Sequence, residues 1–165
     1  STRVRSSAAS DVYKRQDTCC AGERTRGVLD ALSDTDYEIQ FTINVTYETS
    51  ITEMFMQQKP VDYLIVLETG ILEEIAKILS DKQENGMKVY GIGSSIKCVY
   101  YLDEAVIDGL IVVDGYDMGY QSVLQISDML KKRLHRTKDQ ATDYRLLHRE
   151  DIFSEDTQKF LYTFY

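Results

Sequence analysis

Cysteine, proline and tryptophan are scarce in this 165-residue chain, which has three Cys, one Pro and no Trp. Cys19 and Cys20 are adjacent and Cys98 stands alone, so the cysteines offer neither a disulfide framework nor a paired metal-ligand spacing, and a secreted disulfide scaffold is excluded. A basic surplus is also missing. With 19 Lys and Arg against 27 Asp and Glu, the net charge of -8 repels phosphate backbones, and no direct nucleic-acid contact by this region is expected. No apolar run approaches the ~20 residues of a membrane span. Nor do residues 1–16 hold the ~7–15-residue apolar centre of a signal peptide. What is present is ordinary for one globular domain, or one lobe of a larger protein: 43% apolar and 28% charged residues.

The opening stretch STRVRSSAASDVYKRQ has no apolar period and resembles a translated sequencing adapter. Residues 1–16 are therefore expected to be a non-native or disordered tail outside the fold, with the true N-terminus missing. Residues 20–32 have a helical pattern, with Val28, Leu29 and Leu32 on one side. Tyr37, Ile39, Phe41, Ile43 and Val45 then alternate with polar residues, which predicts a strand with one wet face, suited to a sheet edge. A short helix over 47–58 stops before Pro60.

Two continuous apolar runs, Tyr63 to Leu67 and Leu110 to Val113, predict parallel strands covered on both faces. Between them a helix over 70–85, a strand over 88–92 and a loop with a short helix up to Gly109 are expected. A long helix from Met118 to about Arg133 carries Val123, Ile126, Leu130 and Leu134 on its apolar stripe. A strand near 144–147 and a terminal helix near 154–162 complete the chain. Strands alternating with helices predict an α/β fold, a three-layer α/β/α lobe with a mainly parallel sheet.

Ligands of such sheets bind beyond the carboxyl ends of the strands. That rule selects Glu68 and Thr69, Ser94 and Ser95, and Asp114 and Tyr116. Carboxylates and hydroxyls suit a polyol, and a tyrosine ring packs on the apolar face of a sugar. The same residue types also cap helices, an alternative reading for Thr69 and Ser95, while Glu68 and Asp114 suit helix N-termini as acids. Gly91-Ile92-Gly93 is not a dinucleotide fingerprint, because Ile96 occupies its third glycine position. Asp114 superficially resembles a receiver-domain phosphoacceptor, but only one strand follows it. Cys98 reads as a buried structural thiol, and His135 and His148 as surface residues. Asn44-Val45-Thr46 reads as a chance glycosylation sequon. Without a nucleophile–base pair or metal cluster, the chain is not expected to be an enzyme or to use a cofactor.

Arg24-Thr25-Arg26-Gly27-Val28-Leu29-Asp30-Ala31-Leu32 resembles the Arg-x-x-Gly-Phe-x-x-Ala-Leu helix of type I periplasmic binding proteins, shared by lac-repressor-type sugar sensors. Asp62 to Ala76, Val89 to Gly93, and Asp108-Gly109 through Met118-Gly119-Tyr120-Gln121-Ser122-Val123 resemble later segments of that family in order. The ending, Tyr144 to His148 and then Phe153-Ser154-Glu155, is similar to substrate-binding proteins of bacterial sugar transporters. The resemblance implies that residues 17–165 are the C-terminal lobe of a two-lobed solute-binding protein, with 142–165 returning toward the other lobe. It implies a small polar solute, a membrane permease of an ABC transporter as partner, and an extracytoplasmic location. The alternative is the effector-sensing domain of a lac-repressor-type regulator. Arg24 matches the ligand-binding arginine of the family, and Glu68 replaces its usual asparagine or aspartate. Gly93 and Val113 depart from the family's aspartate and glutamine.

Overall fold

The computed structural model describes residues 9–15, 19–45, 50–57, 61–82, 86–133 and 140–162. Six strands and six helices follow in the order β1 (Ala9–Arg15), α1 (Cys19–Leu32), β2 (Glu38–Val45), α2 (Ile51–Gln57), β3 (Tyr63–Val66), α3 (Thr69–Lys82), β4 (Lys88–Ile92), α4 (Ile96–Asp103), β5 (Gly109–Val113), α5 (Gly115–Lys132), β6 (Tyr144–Leu147) and α6 (Glu155–Leu161). They form one sheet in the order β2-β1-β3-β4-β5-β6. All neighbours are parallel except β5 and β6. Parallel neighbours need helical crossovers of one hand. Strand order runs one way from β1 to β2 and the other way from β3 to β5, so those crossovers place α1 on one face and α2, α3 and α4 on the other.

The alternating segment is β2, and it does lie at the sheet edge. One expectation is corrected: residues 1–16 do not all lie outside the fold, because Ala9–Arg15 forms β1, paired along its length with β2 and over Ser10 to Tyr13 with β3. Sheet pairing uses backbone N–H and C=O groups, which any proline-free segment supplies, so a weak side-chain pattern does not prevent it. Pro60, Asn85, Leu134, His135 and Thr46 of the sequon lie outside the described residues.

The core sits between the sheet and α3. Leu64 and Val66 of β3, Val89 of β4, and Leu110 and Val112 of β5 are buried. They meet Ile71, Leu72, Ile75, Ala76 and Leu79 of α3. Val99 and Leu102 of α4, Leu147 and Ile152 close the same cluster. The opposite face is only half covered: Tyr63, Ile65, Ile111 and Val113 alternate with the buried residues and stay partly exposed. Full cover of both faces, expected from the continuous apolar runs, is therefore not found.

The reason lies in α5, a second correction. Its stripe residues Val123, Ile126 and Leu130 are 67%, 57% and 76% exposed, and the helix buries no residue. Its less exposed side carries Gln121, whose amide bonds Asp117 of the same helix, and Gln125, whose amide bonds Gln140.

At the amino ends of the strands Asp108 ties three elements together. Its carboxylate accepts from the Val89 N–H at 2.8 Å and from Lys88 Nζ at 2.7 Å. Its carbonyl accepts from His148 Nδ1 at 2.9 Å, so His148 serves the fold. The carboxylate of Asp108 raises the Lys88 ammonium above its usual pKa.

Two predictions follow from this packing. A methyl at Gly91 would sit 2.6 Å from Cδ2 of the fully buried Leu72, so Gly91→Ala is expected to destabilise by about 1–3 kcal/mol through overpacking; an unchanged midpoint in urea would contradict the close α3–β4 seat. The second concerns Glu73, whose carboxyl is held below the usual range by the Ser95 hydroxyl and then by Lys97, 3.1 Å away. A depressed carboxyl contributes stability above its unfolded pKa and loses it as pH falls through the folded value. Glu73→Gln should therefore cost about 0.5 kcal/mol at neutral pH, as for a solvent-screened pair. That difference should shrink as pH falls below the usual carboxyl range, and a gap constant from neutral pH would refute it.

Candidate functional site

The carboxyl ends of β3, β4 and β5 carry the predicted residues, and hydrogen bonds join these ends into one rim. Arg24, on the second turn of α1, donates from Nη1 to the Leu67 carbonyl at 2.6 Å, which fastens α1 to the end of β3. Thr69 Oγ1 donates to the Ile92 carbonyl at 3.2 Å and so spans from the start of α3 to the end of β4. The Gly93 N–H donates to the Ile111 carbonyl at 3.0 Å, joining β4 to β5. The Asp114 N–H donates to the Asp143 carbonyl at 3.0 Å, at the entry to β6.

Three of the predicted side chains cap helices. Glu68 Oε2 accepts from the Ile71 N–H at 2.9 Å, at the start of α3. Ser95 is the N-cap of α4 and accepts from the Cys98 N–H at 3.2 Å. Asp114 is the N-cap of α5 and accepts from the Asp117 N–H at 2.8 Å. Each satisfies a backbone donor that the first turn of a helix leaves open, and negative charge there is favoured by the helix dipole. A carboxylate has two oxygens and about four acceptor positions, so capping uses only part of what Glu68 and Asp114 offer. Ser94 is exposed between β4 and α4. Tyr116 is half exposed, and its ring stacks on Tyr120 along α5 with centroids 6.0 Å apart.

The rim therefore gathers Arg24, Glu68, Thr69, Ser94, Ser95 and Asp114, whereas Tyr116 turns along its own helix. Glycine at position 93 has a packing cause. A side chain there would begin 3.1 Å from Cys98 Sγ and 3.1 Å from Thr69 Cγ2, so those two groups occupy the space. Cys98 is fully buried and burial pushes its thiol above the usual pKa, which leaves it a poor nucleophile. Among the described residues no group of three His, Cys, Asp or Glu side chains is placed to hold a metal ion. What the rim offers is hydrogen bonding of both senses, with one guanidinium and two carboxylates.

Glu73 and Lys97 were missed by the strand-end rule. They stand one turn inside α3 and at the second residue of α4, and their pairing across the rim depends on how the two helices lie side by side. A separate groove of about 240 Å³ runs between α4 and the C-terminal segment, lined by Val99, Tyr100, Ile152, Phe153 and Tyr162 among others. None of the rim residues lines it. Its aromatics come from segments that the sequence pattern does not bring together. No described helix is long and apolar enough to cross a membrane.

No protein-family model matches the chain, and no curated protein matches it. Solved structures do. A carbohydrate transporter solute binding protein from Agrobacterium radiobacter, solved in complex with D-arabinose, superposes with a TM-score of 0.81 at 14% identity, covering 94% of this chain and 55% of its own. GanP, a glucose-galactose binding protein from Geobacillus stearothermophilus, gives 0.76 at 15% identity, with 90% and 55% covered. A protein described as a LacI transcriptional regulator from Bacteroides fragilis gives 0.75 at 16% identity, with 88% and 54% covered. The chain thus spans about half the length of the solved structures it matches. Its fold is that of an α/β lobe of the type I periplasmic-binding-protein-like architecture.

Proposed function

We propose that the rim formed by Arg24, Glu68, Thr69, Ser94, Ser95 and Asp114 is one half of a binding cleft for a polar, hydroxyl-rich solute such as a sugar, with Tyr116 at its margin. The supporting observation is the connected rim itself. Three strand ends and the arginine of α1 are locked together by backbone-directed hydrogen bonds, so their remaining donors and acceptors are held in place before a ligand arrives. Preorganisation of this kind lowers the ordering cost of binding. The likeness in fold to structures whose names include D-arabinose and glucose-galactose points to the same class of solute.

In this reading the chain is one lobe of a two-lobed receptor, with 142–165 leading toward the second lobe. Ligand closes the lobes by hinge motion, and the closed form docks on an ABC-type permease outside the cytoplasmic membrane. The rim carries no reaction, and binding needs no cofactor. A second reading, an effector-sensing domain of a lac-repressor-type regulator, draws on the likeness to the Bacteroides fragilis protein. The upstream reading frame separates the two: a signal sequence or lipid-anchor cysteine fits transport, a helix-turn-helix fits regulation.

The test uses the full-length protein encoded by the continuous reading frame, with pentoses and hexoses screened by thermal shift. A true ligand at a hundredfold excess over its Kd should raise stability by about 2.7 kcal/mol. Glu68→Gln and Asp114→Asn each keep an oxygen for the helix cap, so the unliganded melting point should stay nearly constant. Each should nevertheless weaken binding by about tenfold, as expected for loss of a charge-assisted hydrogen bond. An unaltered ligand response in both variants would remove these carboxylates from the site.

A further inference from the structure

The rim is asymmetric in its hydrogen bonding, and the asymmetry follows from where its hydroxyl protons go. A Ser or Thr hydroxyl holds one proton and two lone pairs. The proton of Thr69 is spent on the Ile92 carbonyl, 3.2 Å away. Ser95 accepts from the Cys98 N–H, and its own proton goes to the Glu73 carboxylate, which only accepts. Lys97, 3.1 Å from Glu73, keeps that carboxylate ionised and the Ser95 proton turned inward. Toward the cleft both hydroxyls therefore offer lone pairs only. Glu68 and Asp114 add the carboxylate oxygens that capping leaves over. Of the rim side chains, Arg24 and the exposed Ser94 are the donors that remain.

Charge is distributed in the same sense. Among the described residues neither Glu68 nor Asp114 forms an ion pair. Arg24 is bound to the carbonyl of Leu67, next in the chain to Glu68, so a guanidinium offsets the carboxylate at the β3 end. Asp114 stands at the β5 end, with β4 between. At ~4.8 Å per neighbouring strand the two ends are about 10 Å apart. Asp117, partly buried in the first turn of α5, adds negative charge on the Asp114 side.

We propose that the rim prefers a protonated hydroxylated amine, such as an amino sugar, over the neutral sugar, and rejects sugar acids and sugar phosphates. The inference rests on the rim being a binding cleft and names the class of solute it takes. An ammonium group has donors and no lone pair, so it complements Asp114 and the fixed lone pair of Ser95. One six-membered ring with a hydrogen bond at each side spans the distance to Glu68 and Arg24, and its hydroxyls donate to Thr69 and Glu68 on the way. A carboxylate or phosphate has lone pairs only. Placed between Glu68 and Asp114 it would set acceptor against acceptor and charge against like charge. Glu73 takes part through Ser95 and is a positioning residue.

Isothermal titration of the full-length protein with matched probes tests this. The probes are D-galactose, D-galactosamine and D-galacturonic acid, and the corresponding D-glucose, D-glucosamine and D-glucuronic acid. At about pH 6 the amines are protonated and the acids ionised. The amine is expected to bind about tenfold or more tighter than its neutral parent, and the acid about tenfold or more weaker. Asp114→Asn keeps an oxygen for the helix cap and should cut the preference for amine over neutral sugar by about tenfold. In Glu73→Gln, Lys97 takes the amide oxygen and leaves the amide N–H to donate to Ser95, whose proton then turns to the cleft. The preference for amine over acid should fall by about threefold or more, a ratio that a purely structural role would not move. An acid bound as tightly as its neutral parent, or an amine bound no tighter, would overturn the selectivity and leave the cleft reading standing. Binding confined to other neutral sugars would do the same. No binding of these probes or of any pentose or hexose would overturn both.

Discussion

Everything on the strand-end rim depends on how closely α3 lies on the sheet. Gly91 has no side chain, and Leu72 fills the place where one would begin. That approach sets the depth of six buried residues on α3 and therefore the position of its first turn. From that turn Glu68 caps the helix, Thr69 reaches the end of β4, and Glu73 reaches Ser95 and Lys97. A helix displaced outward would take all three contacts with it. The core thus places the polar rim, although none of its apolar residues belongs to the rim.

Capping and the proposed ligand binding draw on the same side chains, and they are compatible for a physical reason. A helix N-terminus leaves its first N–H groups open, and in a parallel sheet those N-termini all emerge at the carboxyl edge. Glu68, Ser95 and Asp114 answer those donors within their own helices. The capping bond fixes each side chain, so its second oxygen or lone pair has a defined direction. Arg24 is fixed likewise by the Leu67 carbonyl. A rim made of such groups loses little side-chain entropy when a polyol enters.

The sequence was most legible where one residue class does one job. The spacing of Ile71, Ile75, Ile78 and Leu79 named the buried face of α3, and strict alternation named β2 as an edge strand. The strand-end rule named residues that do gather on one rim, and capping, its alternative reading, accounts for part of what they do there. Legibility failed in three ways. Ala9–Arg15 joins the sheet through backbone groups, which carry no side-chain signature. The α5 stripe is legible as an apolar face but not as an exposed one, because amphipathicity identifies such a face without saying what it meets. Glu73 and Lys97 were invisible for a third reason, since their pairing depends on the lateral placement of two helices.

The uneven cover of the sheet links these points. On the α3 side β3, β4 and β5 bury their residues, and the helix there is both amphipathic and seated by glycine. On the other side Tyr63, Ile65, Ile111 and Val113 stay partly exposed, and α5 buries no residue. Burying a carboxamide without a partner costs more than leaving an aliphatic side chain wet, and Gln121 and Gln125 do have partners. The apolar stripe of α5 stays exposed. Apolar area left wet at roughly 25 cal/mol per Å² is a driving force for association.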